Sequence, residues 1–262
     1  MAETDHIIEM KGISKRFGAV QALNKVDLEL RRGEILGLVG DNAAGKSTLM
    51  KCLYGAYRPD EGAVFVEGKQ VHFHTPRDGQ AAGIAMIYQD LALFNNLDVA
   101  SNVCAGREYL NKVAGLALLD KKSMHADAAQ LLSRLKINIS STKLLVERMS
   151  GGQRQMVACA RAIGCMCKVL IMDEPTAALG VREANTLLQL VSEFRDQGLS
   201  IIIITQRIPD ILAIGNRVMV LKGGQRQGIL DVSEVHLDDV VNLIIKGRAS
   251  QEEEAVQFKS FG

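Results

Sequence analysis

Ile35-Leu-Gly-Leu-Val-Gly40-Asp-Asn-Ala-Ala-Gly45-Lys-Ser-Thr48 decides the fold of this 262-residue chain. Its first five residues are a short run of buried-strand type, and helical periodicity follows from about Lys46 to Tyr54. Between them Gly40-Asp-Asn-Ala-Ala-Gly-Lys-Ser47 matches G-x-x-x-x-G-K-[ST], in the strand-then-helix context that the pattern requires. Such a loop holds a polyphosphate by successive backbone N–H groups, here of Gly40, Asp41, Asn42, Ala43, Ala44, Gly45, Lys46, Ser47 and Thr48, and by the positive end of the helix dipole. Lys46 can reach the terminal phosphates and Ser47 can ligate Mg²⁺.

A phosphate loop that hydrolyses its nucleotide needs a carboxylate at the end of a neighbouring strand. Val169-Leu-Ile-Met-Asp173 supplies Asp173, and Glu174 projects past the strand end, where a carboxylate can orient water or accept its proton. Val169–Met172 and Ile201–Ile204 have no polar face, so both faces must be covered, as in a parallel sheet flanked by helices. The fold class is α/β. Further strands are expected at Ile7–Met10, Val26–Leu30, Ala63–Glu67, Ile84–Tyr88, Val218–Leu221 and Gly228–Val232, and helices over Gly152–Ile163 and Val181–Phe194. From about Asp98 to Val146 the periodicity is helical, through Ala128, Leu131, Leu132 and Leu135, with no convincing strand; this block is a candidate inserted helical subdomain. Gln251–Gly262 opens with Glu252-Glu-Glu254 and holds little that packs, so a solvated tail is expected.

With 47% hydrophobic residues, 23% charged residues and only 4 Pro, the composition excludes disordered, collagen-like and disulfide-scaffold classes. Lys plus Arg (31) nearly cancels Asp plus Glu (30), so the chain lacks the basic excess of a protein held by nucleic-acid phosphates, and nucleic acid is not an expected partner. Cys52, Cys104, Cys159, Cys165 and Cys167 form no C-x-x-C pair and stand among apolar neighbours, which reads as buried thiols in a reducing compartment. The strongest apolar runs, Val113–Leu119 and Ile201–Ile204, are far shorter than the roughly 18 residues that span a bilayer. The acidic start Met1-Ala-Glu-Thr-Asp-His6 is unlike a signal peptide, so a cytoplasmic protein that meets the membrane through another protein is expected.

Met149-Ser-Gly-Gly-Gln-Arg-Gln155 resembles the signature sequence of ATP-binding-cassette ATPases, and Gln153 precedes Asp173 by 20 residues, as in that family. Ser-Gly-Gly at a helix start is a further anion site of exposed N–H groups and a hydroxyl. The resemblance covers about residues 7–245. It implies a P-loop NTPase core with a mainly parallel sheet, an N-terminal antiparallel β subdomain and an inserted α-helical subdomain. On that pattern the ATPase domain occupies 5–248, with core and β subdomain at about 5–97 and 147–248, the helical subdomain at about 98–146, and a flexible tail over 249–262. The resemblance also implies that Ser150, Gly151, Gly152 and Gln153 face the ATP held by a second copy, so that two chains sandwich two nucleotides head to tail. Phe17 takes the place of an aromatic that stacks on adenine, and Gln89 that of the glutamine that senses Mg²⁺ and water beside the permease. The implied catalytic set is Glu174, Gln206, Lys46 and Gln89, with Ser47, Gln89 and Asp173 around Mg²⁺.

Gly55-Ala-Tyr-Arg-Pro-Asp-Glu-Gly62, Phe73-His-Thr-Pro76, Gly83-Ile84, Tyr88-Gln-Asp-Leu91 and Gly106-Arg-Glu108 look like single-cassette monosaccharide importers of the ribose, xylose and fructose kind. That likeness implies a homodimer on the cytoplasmic face of the inner membrane, beneath an integral-membrane permease fed by a periplasmic sugar-binding protein. The alternatives are an importer of another small solute, or a cassette with impaired hydrolysis that acts as a nucleotide-dependent clamp.

Three positions depart from the family pattern. Ala43 stands where glycine is usual, and a methyl group at positive φ costs on the order of 1–2 kcal/mol. Gly180 replaces an aspartate that communicates between the two sites. Gln206 replaces the histidine that contacts the γ-phosphate; its amide can donate a hydrogen bond but carries no charge, so turnover is expected to survive at a slower rate.

Overall fold

The computed structural model describes residues 6–113 and 116–247. The expected tail and both ends of the 5–248 domain lie outside the described residues. In chain order the first elements are β1 (His6–Phe17), β2 (Val20–Arg31), β3 (Ile35–Val39), α1 (Lys46–Tyr54), β4 (Glu61–Val66), β5 (Lys69–Val71), α2 (Pro76–Ala81), β6 (Ile84–Ile87) and α3 (Val99–Val103). There follow β7 (Leu110–Val113), β8 (Leu116–Leu119), α4 (Lys121–Arg134), α5 (Gly151–Gly164), β9 (Val169–Asp173), α6 (Val181–Asp196), β10 (Ser200–Ile204), α7 (Ile208–Ile214), β11 (Arg217–Lys222) and β12 (Gln225–Asp231), then a helix over 237–247.

The central sheet has the order β12-β11-β3-β10-β9-β6. Its strands β11, β3, β10, β9 and β6 are parallel, with β12 antiparallel at the edge. Every residue of β3, β6, β9 and β10 is buried, as their continuous apolar runs require. Successive residues serve opposite faces. Leu36, Leu38, Ile171, Ile202 and Ile204 pack with α1 and the antiparallel sheet β2-β1-β4-β5, while Ile35, Val39, Leu170, Met172, Ile201 and Ile203 pack with the helices of the other side. The N-terminal sheet is more extensive than the sequence reading. Bulges between Met10 and Lys15 break the alternation, and a sheet with one solvated face carries outward charges such as Lys11, so of β1 and β2 the sequence announces only Ile7–Met10 and Val26–Leu30.

The 98–146 segment leaves and rejoins the core through one backbone neck: Asp98 bridges Leu145, and Val146 N–H donates to Leu97 O at 3.1 Å. It has no separate core, since Ala128, Leu131 and Leu132 of α4 share a cluster with Val157 of α5 and Val191 of α6. The expectation of no strand here is corrected by the β7–β8 hairpin, which pairs only with itself and leaves Leu110, Leu116, Leu118 and Leu119 exposed. Asp120 accepts from Ser123 N–H and caps α4, which prevents that helix from extending back through the leucines. α3 falls within the block expected to be helical, whereas the sequence does not announce α2 and α7, because six or seven residues are too short to show a period.

The thiol reading also needs one correction. Cys52, Cys104 and Cys159 are buried, and burial pushes the Cys52 and Cys159 thiols up to about 12, but Cys165, at the end of α5, is exposed.

Candidate functional site

β3 ends at Val39 and the chain turns at Gly40, where φ is 147° and a Cβ would stand 1.9 Å from Leu221 O. Only glycine permits that approach. Ala43 sits at φ 64°, the positive value that makes its methyl group costly. α1 then starts at Lys46, whose buried side chain turns back so that Nζ donates to Gly40 O at 2.7 Å and Asp41 O at 2.8 Å.

Parallel register carries the remaining groups to the same edge. Ile204 pairs with Asp173, so the carboxyl ends of β9 and β10 lie side by side, next to β3, at the edge where open α/β sheets bind ligands. Ser47 lines the same cleft as Asp173 and opposes the effect of burial on its carboxyl group. Glu174 has φ 50°, and its N–H donates to Ile204 O at 2.9 Å. Its Oε2 accepts from Gln206 N–H at 3.4 Å, while Oε1 is buried with no hydrogen-bond partner. The Gln206 amide donates to Asn42 Oδ1 at 2.7 Å. Farther out, Thr176 Oγ1 donates to Asp210 Oδ2 at 2.6 Å and Arg207 pairs with the same oxygen at 3.4 Å, which ties the segment after Glu174 to the start of α7.

Burial raises both carboxyl groups above their ordinary range, although Ser47, Lys51 and Lys46 oppose it at Asp173, and the Gln206 N–H and Lys46 oppose it at Glu174. Burial lowers the Lys46 ammonium, against the pull of Glu174, Asp173 and Asp41. These are the conditions of a polar site held in a dry setting.

One open cleft of about 390 Å³ is lined by Phe17, the 42–48 loop, Gln89, Asp173, Glu174 and Gln206. Phe17 is half exposed at its rim and meets Tyr57 edge to face at 5.2 Å. Gly40 and Asp41 do not line it; their carbonyls hold Lys46.

Ser150, Gly151, Gly152 and Gln153 do not line it either. They open α5, and Ser150, Gly152 and Gln153 border a separate groove of about 370 Å³ with Lys136, Glu183 and Glu193. Ser150 and Gln153 cap each other: Gln153 N–H donates to Ser150 Oγ at 3.2 Å and Ser150 N–H to Gln153 Oε1 at 3.0 Å. Two groups near these sites escaped the sequence reading. Glu183 carried one usable signal, its spacing three residues after the helix-opening Gly180; Asp210, whose partner Thr176 is distant in the chain, carried none.

A family model described as ABC transporter matches residues 23–177, from within β2 to beyond the Asp173–Glu174 pair. The chain belongs to the ABC transporter family. This ABC chain is 42% identical over 253 residues to the ribose import ATP-binding protein RbsA 1 of Streptomyces avermitilis, covering 97% of itself and 47% of that protein. It is 43% identical over 219 residues to the xylose/arabinose import ATP-binding protein XylG of Sulfolobus acidocaldarius, covering 84% of itself and 86% of that protein. The chain thus spans about half the length of the first relative and most of the second. Its fold superposes on MJ1267, an ATP-binding cassette of an ABC transporter, with TM-score 0.80 and 25% identity over 92% of this chain and all of that one. The expected α/β cassette, with its parallel core and antiparallel N-terminal sheet, is what the structure has.

Proposed function

We propose that this chain is the ATP-hydrolysing subunit of an importer that takes up a monosaccharide, working as a head-to-tail pair beneath a membrane permease. The observation that carries the reading is the gathering of Lys46, Ser47, Asp173, Glu174 and Gln206 in one cleft. The sugar class rests on the likeness to ribose and xylose/arabinose import proteins.

On this reading Lys46 exchanges its two carbonyl bonds for oxygens of the terminal phosphates. The adjacent Ser47 hydroxyl and Asp173 carboxylate fit Mg²⁺, a hard cation that takes only one or two protein oxygens when it arrives with a nucleotide. Bound there, Mg²⁺ supplies neutralisation of charge on the phosphate oxygens. Glu174 Oε1, buried and unpartnered, is the acceptor for the attacking water's proton, and its raised pKa improves it as a base. Gln206 donates to the terminal phosphate, and Phe17 stacks on the adenine.

Coupling to the permease is assigned to the groove beside Gln89, lined by Tyr54, Gln80, Tyr88 and Arg161. Arg161 on α5 donates to Leu91 O at 2.6 Å and Ala92 O at 2.7 Å, so the segment after Gln89 and the helix that carries Ser150 move as one body. The 98–146 block acts as the helical subdomain of this motion. The Ser150–Gln153 turn of one copy completes the site of the other, and a periplasmic sugar-binding protein delivers the solute to the permease. The working location is the cytoplasmic face of the inner membrane.

Steady-state hydrolysis and nucleotide-dependent pairing, compared between the native chain and Glu174→Gln, test the reading. Loss of a general base lowers turnover by about 10²–10⁴-fold, with ATP-dependent pairing retained. A native chain that pairs with ATP but turns over no faster than Glu174→Gln would overturn the hydrolytic role, and absence of pairing in both would overturn the head-to-tail site.

A further inference from the structure

α6 places a carboxylate at the start of the helix that carries the serine-glycine turn. Glu183 Oε1 accepts from the Ser150 hydroxyl at 3.1 Å, and its Oε2 accepts from Gly180 N–H at 3.4 Å. The side chain packs closely on Gly152, where a Cβ would stand 3.1 Å from Oε1 and 3.3 Å from Glu183 Cβ. Ser150 has one hydroxyl hydrogen, and Glu183 takes it; the lone pair faces Gln153 N–H. The one lysine lining this groove, Lys136, pairs with Glu193 at 3.1 Å. The N-terminus of α5 favours an anion through its exposed N–H groups and dipole, and a carboxylate of the same chain already stands there.

We propose that Glu183 is a positioning residue that acts through Ser150: an internal anion that competes with the terminal phosphate for the serine hydroxyl and the α5 N-terminus. It thereby sets the ATP concentration at which two copies pair. The inference deepens the head-to-tail reading and rests on it. When Ser150 turns its hydrogen to a phosphate oxygen, Glu183 keeps only the Gly180 N–H, so the segment between Glu174 and α6 registers the event.

Charge and hydrogen bonding make opposite demands on this side chain, which allows a decisive test. If Glu183 only braced the turn, removing it would loosen Ser150 and weaken pairing. If it competes with phosphate, removing its charge strengthens pairing. The experiment is an ATP titration of pairing by light scattering in the hydrolysis-blocked Glu174→Gln chain, with Glu183→Gln and Glu183→Ala added in turn, at low and high salt. Glu183→Gln keeps the shape and one carbonyl oxygen, which can accept from the Ser150 hydroxyl while the Gly180 N–H bond is given up, so the fold is retained and the charge is lost. Removing one like charge about 5 Å from a phosphate shifts affinity about fourfold even at the dielectric of water, so the half-pairing ATP concentration should fall about fourfold or more. The shift should shrink at about 0.5 M salt, where screening shortens the reach of the charge. A Glu183→Gln titration within about twofold of the parent, or displaced to higher ATP, overturns the inference alone. A Glu174→Gln parent that never pairs overturns the head-to-tail reading and this inference with it.

Discussion

The side-chain amide of Gln206 donates to Asn42 Oδ1 at 2.7 Å, joining the end of β10 to the phosphate loop across 164 positions of sequence. Its backbone N–H is turned to Glu174 Oε2 at 3.4 Å. One residue therefore touches both the loop and the proposed base, through neutral groups only.

A charged donor at this place binds an anionic oxygen more strongly than an amide does, by about 1 kcal/mol. Gln206→His should therefore raise kcat about threefold near pH 6.5, where half of the imidazoles carry the charge, with less gain at higher pH. Steady-state ATP hydrolysis against pH checks this, and an unchanged or lower rate would count against the role of Gln206.

Ala43 holds φ 64° in a loop that otherwise favours glycine. Ala43→Gly removes a steric cost of about 1–2 kcal/mol and adds about 0.5–1 kcal/mol of unfolded-state freedom, for a small net gain. Calorimetry should show Tm raised by about 1–3 °C.

Glu174 titrates above its ordinary value because it is buried, so the folded state holds its proton over a range where the unfolded chain has released it. Stability attributable to this group is highest at acid pH and falls as pH rises from near 4.5 through the folded pKa, then stays flat. Glu174→Gln should therefore unfold at a higher temperature than the native chain at pH 7–8, and that advantage should vanish below the ordinary glutamate range. Thermal melts across pH, without nucleotide, provide the measurement.

Arg217 and Glu34 form a buried bidentate pair, with Nε to Oε1 at 2.5 Å and the second guanidinium nitrogen to Oε2 at 2.9 Å. Glu34 also raises the Arg217 pKa. Arg217→Met leaves a buried carboxylate and should cost about 3–5 kcal/mol, whereas Arg217→Met with Glu34→Leu should recover most of the loss. Urea unfolding of the three chains separates the two cases.

Phe17 lies at the cleft rim, with its ring supported by Tyr57. Stacking of a base on an aromatic ring is worth about 1–3 kcal/mol, so Phe17→Ala should weaken ATP binding about tenfold and leave kcat nearly unchanged. Titration with a fluorescent nucleotide, beside turnover at saturation, reads both.

Much of the site was legible because its residues lie within short contiguous stretches whose local conformation the residues themselves impose. Gly40–Ser47 between an apolar strand and a helix, Asp173–Glu174 after Val169–Met172, and the Ser150–Gln153 turn each announce a local geometry. Continuous apolar strands likewise fixed the parallel core, since a strand without a polar face must be covered twice. What did not show was of another kind. The β7–β8 hairpin is apolar without packing on the core, so hydrophobicity gave the wrong sign for its structure. The bulged N-terminal strands lose the period that would reveal them.

The sequence by itself determined the strand, loop and helix around Gly40–Ser47, the buried strand that ends at Asp173, the capped turn at Ser150 and the α/β class, because each depends on neighbours a few residues away. Tertiary structure alone decided that Gln206 meets Asn42, that Glu183 holds Ser150, that Arg217 neutralises Glu34, and that Ser150 stands apart from the cleft containing Lys46. Those contacts join residues 33 to 183 positions apart, and a hydrogen bond or an ion pair leaves no period or composition in the chain to announce its partner.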